Sequence, residues 1–299
     1  MSIGAQDFKV PVGKKIRLKD HDSNWVPKWA MQEKSKKALK QHALTLLEKN
    51  RQKLISEQEL LWASDTYSIL IILQGMDAAG KDSTIRHVMS GVNPQGCRVT
   101  SFKTPSTEEL KHNFLWRHIK ALPERGSIGI FNRSYYEDVL IVKVRPEVFA
   151  KQKLPLIKDK KLFWEQRYED ITLLERHLVR GRTLVLKFYL HISKKEQKKR
   201  LLKRLDDPNK AWKFSITDLE ERTKWLEYEK AYEEMLNKTS TEWAPWYIVP
   251  ADRKWVAHAL ISEVIASEIK KLNLKYPVLS ITQKEELTKA KAELEKNST

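Results

Sequence analysis

A short apolar run, Ser68-Ile69-Leu70-Ile71-Ile72-Leu73-Gln74, ends at a glycine. Gly75-Met76-Asp77-Ala78-Ala79-Gly80-Lys81 follows at once, and a helical pattern leaves through Ile85-Arg86-His87-Val88-Met89. A run that is apolar on both faces reads as a central parallel strand. A G-x-x-x-x-G-K segment between such a strand and a helix reads as a phosphate-binding loop. Its glycines let backbone N–H groups turn inward around phosphate oxygens. The helix start adds partial positive charge, and Lys81 supplies a full one. Gly75, Ala78, Ala79, Gly80, Lys81, Asp82 and Ser83 are therefore the candidate phosphate-binding residues.

Further runs at 98–102, 127–131, 183–190 and 246–249 read as strands. Helical patterns lie between them, at 81–91, 106–121, 134–143, 160–180, 194–205, 217–237 and 252–271. Strands alternating with helices predict an α/β doubly wound sheet with right-handed crossovers and ligands at the carboxyl ends of the strands. Ahead of this core, residues 1–27 read as an arm with no sustained period. From Trp29 to about Ser64 the apolar residues recur at three- and four-residue steps, as in one or two amphipathic helices. The expected organisation is an N-terminal arm with helices at 1–66, a core domain at 67–275 and a charged helical tail at 276–299.

Two carboxylates in the loop are unusual. Asp82 stands where a Ser or Thr is ordinarily found, and Asp77 lies inside the loop. A carboxylate beside phosphate is repulsive unless a cation lies between them, and Mg²⁺ bridges the two. Asp77 is the better metal candidate; Asp82 reads equally well as a helix-start charge that favours the dipole. The third strand ends Ile130-Phe131-Asn132-Arg133-Ser134-Tyr135-Tyr136-Glu137-Asp138. In phosphate-loop kinases an Asp that holds Mg²⁺ normally occupies the place of Asn132. Glu137 falls about one helical turn beyond Arg133, so Asp77 and Glu137 are expected to carry the anionic load that Asn132 lacks. Arg133 is expected on the transferring phosphoryl group, where charge must be stabilised.

These segments resemble the family-2 polyphosphate kinases. The resemblance rests on Gly75 to Asp82, on Phe131 to Glu137 and on Trp212-Lys213-Phe214-Ser215. Ser101-Phe102-Lys103-Thr104-Pro105-Ser106 and Leu115-Trp116-Arg117 also match, and the likeness runs from about residue 10 to 275. It implies a P-loop, thymidylate-kinase-like three-layer fold and Mg²⁺-dependent phosphoryl transfer (Mn²⁺ as an alternative) between inorganic polyphosphate and adenine or other purine nucleotides. Asn132 looks like the subgroup that accepts both AMP and ADP, and the family suggests a homodimer or homotetramer. An ATP-dependent nucleoside monophosphate kinase is the alternative reading of the same loop.

Residues 194–204 hold seven basic residues and one acid. In nucleoside monophosphate kinases a basic helix–loop–helix at this position is a lid that excludes water. A lid at about 194–224 is expected to bring Arg200, Arg204, Lys213 and Arg222 to phosphate. Lys103 and Arg117 would extend the positive track. The formal net charge of +17 suits a polyanion. A nucleic-acid-binding module would explain the charge but leaves Asp77 and Glu137 unaccounted for, so a nucleic-acid partner is not expected. No run approaches the roughly 18 apolar residues of a membrane span, and a membrane partner is not expected either. One cysteine, Cys97, excludes an internal disulfide framework and fits a reducing cytoplasm. No zinc spacing appears among the histidines, and Trp225, Tyr228 and Tyr232 at helical spacing read as core.

Overall fold

The computed structural model describes residues 4–27 and 36–296, without the side chains of Ala5, Lys36 and Lys213. Five strands form one parallel sheet in the order β2-β3-β1-β4-β5. They are β1 Ser68–Gln74, β2 Cys97–Ser101, β3 Ile128–Asn132, β4 Thr183–His191 and β5 Trp246–Pro250. β1 lies between β3 and β4, with Leu73 beside Asn132 and Gln74 beside Tyr189. This register sets the carboxyl ends of three strands next to one another, where the phosphate-loop segment leaves β1.

The helices of two turns or more are α1 Lys36–Ser64, α2 Lys81–Val88, α3 Lys160–Arg180, α4 Lys194–Leu205, α5 Ile216–Thr223, α6 Trp225–Thr239, α7 Lys254–Lys270 and α8 Ile281–Lys296. α7 packs on α1 and α2, while α3 packs on β4 and on α6. A buried Asn50–Ser262 hydrogen bond of 3.2 Å joins α1 to α7. The N-terminal arm belongs to this core. Val10 and Leu18 are fully buried, and Val10 N donates to Trp246 O at the edge of the sheet. α8 buries none of its residues. Among the described residues no helix is long and apolar enough to cross a membrane.

The strands lie within about a residue of their expected places, but three helical patterns do not run through. Residues 106–121 give a 3-10 turn, Glu109–Lys111, and one α-turn, Trp116–Ile119. Residues 134–143 give a 3-10 turn, Tyr135–Val139, and then Ile141–Val144. The pattern at 217–237 divides at Lys224 into α5 and α6. For 134–143 the cause is a competing burial. Tyr135 and Tyr136 are fully buried and both hydroxyls donate to Glu175 Oε1, at 3.0 and 2.7 Å.

Glu175 on α3 also forms a fully buried ion pair of 2.6 Å with Lys187, a charged residue in the middle of β4. Lys187 Nζ donates in addition to Tyr136 Oη at 2.9 Å and to Thr239 O at 2.7 Å. Burial pushes Glu175 up and Lys187 down, each pulled back toward its charged form by the other. A buried pair with every partner in place is tolerated, whereas removing one member strands the other charge. Lys187→Met is therefore expected to lower stability by about 3–5 kcal/mol, read as a lower urea midpoint. The double variant Lys187→Met/Glu175→Met should recover more than half of that loss.

Candidate active site

Two glycines shape the loop after β1. At Gly75 φ is +155°, and a Cβ there would lie 2.9 Å from Leu190 O, so no side chain fits beside β4. At Gly80 φ is +112°, a region that L side chains rarely adopt. Ala78, also left-handed at φ 62°, lacks that excuse and is held by its surroundings. Lys81 opens α2 and is 9% exposed. Its Nζ donates to Gly75 O at 2.6 Å and to Met76 O at 3.4 Å, leaving one of its three N–H groups over.

Arg133 follows β3 directly, and its N–H donates to Leu73 O at 3.1 Å, which binds it to the end of β1. Its φ of 64° is a second strained non-glycine position. That twist aims the guanidinium across the strand ends, where Nη2 donates to Asp77 Oδ1 at 2.6 Å. On the turn behind it, Glu137 is held by Gln74. With its amide nitrogen facing Glu137, Gln74 donates to Oε1 at 2.9 Å and its oxygen accepts from Ser134 at 3.2 Å.

Charges of both signs share this space. Burial pushes Asp77 up, but Arg133 and Lys81 together hold it below the usual carboxylate range. For Glu137 burial wins over the same two cations, and its carboxyl lies above the usual range. Burial and then Arg133 depress Lys81 against the pull of Asp77, Glu137 and Asp82. Arg133 is raised, chiefly by Glu137. Arg133 is thus bonded to Asp77, and the charges of Asp77 and Glu137 act on both Arg133 and Lys81.

Asn132 Nδ2 donates to Asp82 Oδ1 at 2.7 Å and to Ser101 Oγ at 3.4 Å. Asp82 is accordingly tied to the end of β3 and lies outside the Asp77–Arg133–Glu137 set. Ser83 turns its hydroxyl toward α7, 3.4 Å from His258 Nε2, which leaves only its backbone for phosphate. The arginines expected on a lid make contacts within the protein in this structure. All five N–H groups of Arg200 are engaged: Nε to Glu196, Nη1 to Ala78 O and Ala79 O, Nη2 to Ala251 O and Asp252 O. Arg200 therefore braces the loop and has no N–H left for phosphate. Arg204 on α4 pairs with Asp218 on α5 at 3.0 Å, and Arg222 on α5 donates to Lys194 O and Gln197 Oε1 on α4. These contacts close α4 and α5 on each other. The side chain of Lys213 lies outside the described residues. Beyond the end of β2, Arg117 Nη1 donates to Lys103 O at 2.8 Å.

Other contacts went unnoticed in the sequence. Gln197 Nε2 donates to Asp77 O at 3.1 Å and so ties α4 to the loop. Gln74 carried a faint signal, a polar residue closing an apolar strand, and Lys187 a clearer one, a charge inside such a strand. Burial pushes the Cys97 thiol up to about 11. Among the described residues no group of three or more His, Cys, Asp or Glu side chains is gathered to hold a metal.

A family model, polyphosphate kinase 2, matches residues 14–277. The chain belongs to the polyphosphate kinase 2 family. It is 46% identical over 295 residues to an ADP-polyphosphate phosphotransferase of Rhodopseudomonas palustris, covering 98% of this chain and 99% of that one. It is 45% identical over 238 residues to an AMP/ADP-polyphosphate phosphotransferase of Meiothermus ruber, covering 80% and 85%. The crystal structure of polyphosphate kinase 2 from Arthrobacter aurescens superposes with a TM-score of 0.82 at 36% identity, covering 96% of this chain and 98% of that one. The polyphosphate kinase 2 resemblance expected from about residue 10 to 275 thus extends over the sheet, the loop, α4 and α5.

Proposed function

We propose that the chain transfers the terminal phosphoryl group of inorganic polyphosphate to AMP and to ADP, forming ADP and ATP. The observation that carries this reading is Arg133 bonded to the loop carboxylate Asp77 and raised chiefly by the charge of Glu137, in a chain of the polyphosphate kinase 2 family. Relatives that act on ADP and on AMP/ADP support the choice of acceptor. Backbone N–H groups of Gly75–Ser83 and the ammonium of Lys81 hold the end of the polymer. Arg133 contacts the group in transfer and offsets the charge spread over its oxygens. A nucleotide phosphate oxygen, already an anion, attacks the terminal phosphorus. The bridging P–O bond breaks and the polymer departs one phosphate shorter. No strong base is needed, so the protein's part is positioning and charge compensation.

Mg²⁺ fits the donor set, with Mn²⁺ the alternative. The carboxylates of Asp77 and Glu137 are hard oxygen donors, and Mg²⁺ is characteristically held by one or two carboxylates with substrate phosphates and water completing its shell. When bound it would neutralise charge between these carboxylates and the phosphates.

The test supplies AMP or ADP with polyphosphate and the metal, without ATP, and follows product by chromatography. Formation of ADP from AMP and of ATP from ADP is the expected result. Turnover of AMP only when ATP is added would replace this reading with an ATP-dependent monophosphate kinase.

A further inference from the structure

The turn that carries Glu137 is held from two sides. On one side Gln74, the last residue of β1, donates to Glu137 Oε1 at 2.9 Å and accepts from the N–H and the hydroxyl of Ser134, both at 3.2 Å. On the other side the two tyrosines that precede Glu137 are fully buried. Both donate to Glu175 Oε1, Tyr135 at 3.0 Å and Tyr136 at 2.7 Å. Glu175 Oε2 accepts from Lys187 Nζ at 2.6 Å, and the same ammonium donates to Tyr136 Oη and to Thr239 O. All three N–H groups of Lys187 and both oxygens of Glu175 are therefore in use.

Lys187 thus joins the turn to three elements of the core. Its own strand β4 places it beside Ile72 of β1 and Trp246 of β5. Glu175 stands on α3, and Thr239 is the last residue of α6. The Tyr136 ring is further flanked by Trp246, at 4.8 Å between centroids, and by Tyr135 at 5.1 Å. On stability grounds alone, apolar residues of the same volume would serve this interior as well as a buried ion pair or better. What the pair adds is direction, because hydrogen bonds weaken steeply when bent. A reacting constellation needs its groups held within about 0.5 Å, and Glu137 follows Tyr136 directly in the chain.

We propose that the Glu175–Lys187 pair is a positioning device for the candidate active site: through Tyr136 it fixes the turn that places Glu137. This role rests on the transfer reaction proposed above, in which Glu137 carries negative charge toward the metal and the phosphates. Lys187, Glu175 and Tyr136 touch neither substrate nor metal; they act through Glu137 alone.

The experiment is a cycle of four chains: wild type, Tyr136→Phe, Glu137→Gln and the two changes together. Initial rates of ADP formation from AMP and polyphosphate are measured for each, with a urea midpoint on the same preparation. Tyr136→Phe keeps the ring and loses only the hydroxyl. It is expected to lower kcat by about 10-fold or more, with KM for AMP and for polyphosphate within about 2-fold of wild type. In the Glu137→Gln background the same change should lower kcat by less than about 2-fold, because a carboxylate already removed cannot be misplaced. The chain Lys187→Met/Glu175→Met, expected above to regain stability, tests the device without altering the turn itself, and its kcat should remain about 10-fold or more below wild type. An undiminished kcat in Tyr136→Phe overturns the proposal. So does a loss that multiplies in full onto Glu137→Gln, or a rate that returns with stability in Lys187→Met/Glu175→Met. A wild-type chain that forms no ADP from AMP and polyphosphate ends the transfer reading and this role with it. Transfer by the wild type with any of the three contrary results ends this role alone.

Discussion

Lys81→Met is expected to reduce polyphosphate-dependent formation of ADP from AMP by about 10³-fold, at an unchanged or slightly higher thermal midpoint. Lys81 Nζ lies against two loop carbonyls at the start of α2, and its charge is the one the proposed mechanism sets on the polymer's phosphate. Losing one preorganised donor to developing charge typically costs about 10²–10³ in rate. Here a full cation is lost together with the donor. Stability should not follow, because burial and Arg133 depress the Lys81 ammonium. A cation whose folded-state pKa is lowered makes the folded chain less stable at neutral pH, and methionine removes that burden. Initial rates and a melting curve on the same preparation check both halves. Wild-type-like turnover in the folded variant would remove Lys81 from its proposed role.

The second large effect is expected at Asp77. Asp77→Asn should lower turnover by about 10²–10³-fold, because the amide keeps the shape but neither neutralises Arg133 nor attracts a cation. Raising the Mg²⁺ concentration should recover part of the loss if metal binding is the function that is weakened. The pH profile separates the two carboxylates. Asp77 is held below the carboxylate range and stays ionised across the working range. Glu137 is raised by burial, so it is the one that takes up a proton as pH falls through its raised pKa, with loss of anionic charge and of rate. The acid limb of kcat/KM is therefore expected to persist in Asp77→Asn and to shift or flatten in Glu137→Gln. An identical acid limb in Glu137→Gln would exclude Glu137 as its source.

The parallel sheet was legible because its inner strands are buried on both sides. β1, for instance, is buried at all seven positions, and such burial leaves a continuous apolar run. The phosphate loop was legible because its glycines and lysine are fixed by backbone geometry and charge. Legibility stopped where partners are backbone atoms or lie far along the chain. Arg200 reads as one of seven basic residues in a run, yet its partners include four carbonyls, which have no sequence signature. The helical pattern at 134–143 was a sound local reading, but Tyr135 and Tyr136 answer to Glu175 about forty residues away. Tyr232 was rightly expected in the core, and the hydroxyl contact of Ser83 was invisible because its neighbour His258 comes from α7.

The brace formed by Arg200 has a consequence for anions. A loop that wraps phosphate must turn its carbonyl oxygens somewhere, and each is a negative dipole end. Here the oxygens of Ala78 and Ala79 accept from a guanidinium, so two negative poles are engaged by a cation instead of left to repel an anion in the loop. Because the same guanidinium also grips the chain leaving β5 at Ala251 and Asp252, the cradle's curvature is set by the far edge of the sheet and does not depend on its own few residues alone.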